Sequence, residues 1–220
     1  MLKVAFIHYH LKTGGVTTVL QQQVKAVAAR GEALVLTGEP PASSEGIPTR
    51  VIPGLGYDRP GIGHDPPEKT ADAVIRAIHD RWPAGCDLLH VHNPTLAKNK
   101  NFLNILKAIQ RKNIRLFLQI HDFAEDGRQR VCPPAASYPK DCHYGVINSR
   151  DYNLLLNAGL TERGLHRIFN AVTPFAGPLS CPAQNQVLYP VRAIRRKNIG
   201  EALLLSLFFK NGETLKITLP

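Results

Sequence analysis

An α/β fold, with a mostly parallel sheet covered by helices on both faces, is predicted by three observations. Short runs rich in Val, Ile, Leu and Phe alternate with longer segments whose apolar residues recur at helical spacing. The short runs are close to continuously apolar, as strands buried on both faces are. Gly, Pro and Asn gather where one kind of segment gives way to the other.

Residues 3–10 read as the first buried strand. After the loop LKTGG, the spacing of Val16, Val19, Leu20, Val24 and Val27 predicts a helix, with Gly31 as its stop. Residues 33–37 give a second strand. The Pro- and Gly-rich stretch 38–65 reads as a long loop holding a short strand at 50–52. Asp65-Pro66-Pro67-Glu68 has the form of a capping box with proline in the first turn, and Ala71, Val74, Ile75, Ile78 and Trp82 share one face of the helix it opens. A strand at 87–92, a helix marked by Phe102, Leu103, Leu106 and Ile109, and a strand at 115–121 follow. The pattern loosens through 124–141 and resumes with a strand at 143–148. A helix opened by Ser149 and ended near Gly159 comes next, then a strand at 166–169.

Residues 173–186, TPFAGPLSCPAQNQ, have the composition of a linker. A strand at 187–191, a helix opened by an Asn198-to-Glu201 capping box and a strand at 214–219 lie beyond it. The helix, ALLLSLFF, is apolar nearly all round and needs cover on several sides. The expected organisation is therefore a domain over 1–172, a linker over 173–186 and the incomplete start of a second domain over 187–220. Self-association through 202–209 is an expected consequence.

No run reaches the roughly 18 uncharged apolar residues of a membrane span, and the N-terminus reads as a strand, so a cytoplasmic location is expected. The net charge of +10 points to an anionic partner. Nucleic acid is not that partner on this reading, because aromatic and basic residues are not interleaved and no binding motif is present. What remains is a merely solvated basic surface, then a phosphate-bearing substrate or peripheral contact with an anionic membrane. The four cysteines form no CxxC pair and read as free thiols, although Cys132 and Cys142, flanking CPPAASYPKDC, have a spacing that would allow a bridge or metal.

Ligands of open parallel sheets bind beyond the carboxyl ends of the strands, where strand order reverses. His8, His10, His90, His92 and His121 all fall at such ends. Gly14 and Gly15 open the first helix, where bare N–H groups and the helix dipole favour phosphate. The loop is neither a dinucleotide fingerprint, lacking the third glycine, nor a P-loop, lacking Gly-Lys-Ser/Thr. The basic cluster from Arg192 to Lys197 flanks a strand-to-helix turn, a place where paired cations can hold a diphosphate.

In order and spacing, KVAFIHYHLKTGGVTTVL, DLLHVHNP, LQIHDF, VINSRDYNLLLNAGL and VRAIRRKNIGEALLL resemble the retaining glycosyltransferases of family 4 over nearly the whole chain. That resemblance implies the GT-B architecture, two Rossmann-like domains facing a cleft. The first receives the acceptor; the second, here incomplete, holds the sugar nucleotide. It implies that Gly14 and Gly15 lie against the donor diphosphate and that His121 sits near the transferred sugar. Arg192 and Lys197 match the cations of the family's GR-x4-KG pattern. Val191 and Asn198 replace its two glycines, and the family's paired-glutamate motif is absent. His10, His92, Asn93 and Asp122 would line the acceptor side of the cleft.

The implied activity is retaining transfer from a nucleotide diphosphate sugar to an acceptor hydroxyl. No cofactor is implied, and no metal, since no Asp-x-Asp motif is present. A chain with so little of the donor domain is expected to be inactive by itself. Two other readings stay open: a non-catalytic scaffold docking through 202–209, and a nicotinamide-dependent oxidoreductase with Glu39 as ribose anchor.

Overall fold

The computed structural model describes residues 1–41, 46–61, 65–123, 135–173, 177, 185–191, 193 and 197–218. They fall into two compact units, Met1–Val172 and Thr173–Pro220. In the first, seven strands form one sheet: β1 (Leu2–His8), β2 (Gly31–Thr37), β3 (Thr49–Val51), β4 (Leu88–His92), β5 (Leu116–Ile120), β6 (His143–Val146) and β7 (Leu165–Arg167). Their order is β3-β2-β1-β4-β5-β6-β7, and every pairing is parallel. This is the Rossmann-like α/β arrangement, and strand order reverses between β1 and β4.

The two faces of the sheet differ in chemistry. On one, Ala5, Ile7, Leu34, Leu36, Leu89, Val91 and Leu118 pack against α2 (Pro67–Arg81) and α3 (Phe102–Gln110) in a dry core. On the other, α1 (Gly15–Ala28) sets Leu20 and Val24 on Val4, Phe6, Ala33 and Val35. Farther along that second face, register aligns Phe6, His90, Phe117 and His143 in one row, and His92 with Gln119 in the next. The face is thus aromatic and polar where the first is aliphatic.

Three local expectations are corrected. Gly31 does not stop α1, which ends at Ala28; it begins β2, where an added Cβ would lie 2.3 Å from the Leu2 carbonyl oxygen. No capping box opens α2: Pro66 is the cap residue, and Asp65 instead pairs with Lys69 at 2.8 Å. None opens α5 (Ile199–Ser206) either, because Asn198 adopts the left-handed conformation (φ 53°), and its side chain caps nothing. In α4 (Ser149–Asn157) the cap is Asn148, one residue before the expected Ser149, its side chain accepting from the Asp151 N–H at 2.8 Å.

The second unit contains β8 (Gln186–Tyr189) and β9 (Thr214–Ile217), paired in parallel, with α5 between them in sequence. Leu203, Leu204, Leu205, Leu207 and Phe208 are exposed. Among the described residues no helix is long and apolar enough to cross a membrane.

Candidate functional site

β1 and β4 finish in His8 and His92, and His121 follows directly on β5, which ends in the buried Ile120. The dry face dictates Ile7, Val91 and Leu118; the alternate positions put His8, His90, His92 and Gln119 on the other. His92 is fully buried, its ring stacked 4.7 Å from that of His90 and 5.2 Å from that of His121. His92 Nδ1 and His121 Nε2 are 2.9 Å apart and share a hydrogen bond. His90 Nε2 reaches Gln119 Oε1 at 2.8 Å, and that oxygen also accepts from Gln23 of α1 at 2.9 Å.

Burial keeps these rings neutral. His8 is pushed down to about 3, first by burial and then by the imidazoles of His10 and His121, against a hydrogen bond to the His92 backbone. Burial likewise takes His90 and His121 to about 4 and His92 well below the ordinary histidine value. None of the four is an imidazolium near neutrality.

Asn93 organises the turn after β4. It is left-handed (φ 53°), a conformation asparagine tolerates, and its Oδ1 accepts from the backbone N–H groups of His121 and Asp122 at 2.8 and 3.1 Å. Its Nδ2 donates to Asp122 at 3.4 Å, and Thr95 donates to the Asp122 carbonyl at 2.9 Å. Ala97 is left-handed too (φ 46°), a strained choice for alanine at the end of the same turn.

α1 begins beside this rim. No side chain caps it, and no acid occupies its first turn. An added Cβ on Gly15 would meet nothing within 4 Å, and one on Gly14 only the Lys12 carbonyl at 3.9 Å. Neither glycine is demanded by packing or by positive φ, so this helix terminus stays open to an anion. Behind it, Glu39 is held by Lys12 at 2.7 Å and Arg59 at 2.9 Å, which lower its carboxyl below the usual range. With both oxygens engaged by cations, Glu39 is poorly set to anchor a ribose. His10 Nε2 lies 3.2 Å from the Tyr57 hydroxyl. Tyr57 lines a hollow of about 440 Å³ with Glu39, Arg59, Asp65 and Asn101.

The structure therefore brings His10, His92, Asn93, His121 and Asp122 to one end of the sheet, beside the start of α1. His92 lies beneath the rim rather than on it. Lys197 lies in the second unit, its carbonyl accepting from Tyr189 at 2.8 Å, and Arg192 falls outside the described residues. Cys86 and Cys142 are free thiols, while Cys132 is not among the described residues. Among the described residues no group of three or more His, Cys, Asp or Glu side chains could hold a metal ion. Gln119, Gln23 and Tyr57 were not singled out from sequence. A glutamine inside the apolar run LFLQI was a visible signal; Tyr57, in a loop, gave none.

No protein-family model matches the chain. It is similar to mannosylglucosyl-3-phosphoglycerate synthase of Petrotoga mobilis, 30% identical over 256 aligned positions that take in 97% of this chain. The chain spans about half, 49%, of the length of that relative.

Proposed function

We propose that this chain is the acceptor-side part of a glycosyltransferase that moves a sugar, with retention, from a nucleotide diphosphate sugar to an acceptor hydroxyl. The observation that carries the reading is the similarity, over 97% of the chain, to a synthase whose named product joins two sugars to phosphoglycerate. A parallel sheet with its polar rim at the reversal of strand order, and an uncapped helix start beside it, supports the same reading.

In this proposal the Gly14–Gly15 amides meet the donor diphosphate and stabilise the charge that develops as the nucleotide leaves. His121 contacts the transferred sugar as a neutral group. His10, Asn93 and Asp122 face the acceptor, with His92 supporting them from below. A phosphorylated or carboxylated acceptor suits a chain of net charge +10. Retention and the assignment to family 4 with GT-B architecture belong to the proposal, as does low activity of the chain by itself.

The test is a panel of nucleotide sugars offered with sugar-phosphoglycerate acceptors, read by product mass and by the anomeric configuration of the new linkage. Saturable binding of a nucleotide sugar is expected, and any product formed is expected to keep the anomeric configuration of the donor. An inverted product removes the retaining mechanism. Binding of a nicotinamide dinucleotide, with no affinity for any nucleotide sugar, overturns the reading as a whole.

A further inference from the structure

His92 and His121 share one hydrogen bond, from Nδ1 of the former to Nε2 of the latter. A neutral imidazole carries one proton, so one ring donates and the other accepts. The direction decides what His121 offers at the rim. The second nitrogen of His92, Nε2, is sealed from solvent and has no partner. Were His121 the donor, His92 would carry its own proton on that sealed nitrogen, leaving a buried N–H without an acceptor. Were His92 the donor, the sealed nitrogen would hold only a lone pair. Orphaned buried N–H groups are the rarer and costlier defect. The sealed, unpartnered Nε2 thus puts the His92 proton on Nδ1.

We infer that His92 is a positioning residue that fixes His121 as its Nδ1–H tautomer, making the outward nitrogen of His121 a hydrogen-bond donor. No hydrogen bond joins His121 Nδ1 to another described residue, and His121 is partly exposed where His92 is fully buried. Asn93 pins the His121 backbone N–H at 2.8 Å while His92 pins the far side of the ring, so the donor is held from two directions. Such a group is matched to an oxygen of the ligand, a sugar hydroxyl or ring oxygen. It cannot serve as a base through that nitrogen. The identity of the ligand rests on the proposed function; the tautomer does not.

The experiment is long-range 15N–1H correlation of the imidazoles in histidine-labelled protein near neutral pH, with His121→Gln and His92→Asn used to assign the signals. His121 is expected to show a bare nitrogen at Nε2 and a protonated one at Nδ1. The opposite pattern, or a near-even mixture, overturns the inference. His92→Asn places an amide N–H2 near the lost Nδ1 and should keep the tautomer. His92→Ala should release it, giving a mixture of the two His121 tautomers that the Asn variant does not show. Should the Ala variant fail to fold, the wild-type spectrum decides alone. The expected spectrum in a protein with no affinity for any nucleotide sugar upholds the tautomer and overturns the proposed function.

Discussion

His8, His90 and His121 are neutral imidazoles whose folded values sit near 3 to 4, below the 6.5 of an exposed histidine. The unfolded chain therefore binds more protons than the folded one between about pH 4 and 6.5, and stability must rise with pH through that window. Each such group contributes at most about 1.4 kcal/mol per pH unit there, less where neighbouring rings share the effect. Denaturant midpoints should be flat above about pH 7 and fall steeply between pH 6 and 4; an unchanged midpoint at pH 5 would contradict the burial of these rings. Gly15 offers a second test at this scale. Its missing Cβ faces open space, so Gly15→Val should alter stability by about 0.5 kcal/mol or less. If the start of α1 receives a diphosphate, the same change should weaken nucleotide-sugar binding at least about tenfold in calorimetric titration.

Among elements, the close approaches of backbone to backbone are decisive. An added Cβ on Gly38, just past β2, would lie 2.0 Å from the Gly56 nitrogen in the loop after β3. Neither partner is a side chain that can swing away. Gly38→Ala and Gly31→Ala should each destabilise the first unit by about 1–3 kcal/mol in denaturant melts. Melting curves matching wild type would mean that these loops part easily. Gly38 also neighbours Glu39 and the hollow lined by Tyr57, so this packing holds the walls of the rim as well as the sheet.

At the scale of the whole molecule, the two units differ in how much core they own. The first buries aliphatic side chains on both sides of a seven-stranded sheet. Among its described residues the second has β8, β9 and α5, whose leucines are largely exposed. Two strands with little apolar cover are marginally stable in water. Amide exchange in β8, β9 and α5 should thus run at least about tenfold faster than in β1, β4 and β5. Equal protection would show that the second unit has a covering partner. The net charge of +10 adds a further expectation: association with an anionic sugar nucleotide should slow as salt rises from 0.05 to about 0.5 M, since screening shortens the reach of the field.

The alternation of strand and helix was legible because burial on two faces demands continuous apolar runs, while burial on one face of a helix demands a stripe. Composition and local spacing record both demands. The positions of His8, His10, His92 and His121 at strand ends could be read for the same reason, whereas His90 lies in the middle of β4, level with Phe6 and Phe117. Helix starts could not: Asp65, Asn198 and Ser149 have the right residue types near the right places, but backbone conformation and competing partners chose otherwise. Nor did sequence distinguish a histidine on the rim from one beneath it. Only register decided that His92 would stack between His90 and His121 with one nitrogen sealed, because burial at a strand end depends on the neighbouring strands. The sequence by itself determined the layers and which residues reach the carboxyl end of the sheet. Tertiary structure alone decided which of those groups meet, since hydrogen bonds between residues 29 positions apart are set by strand order and not by any local pattern.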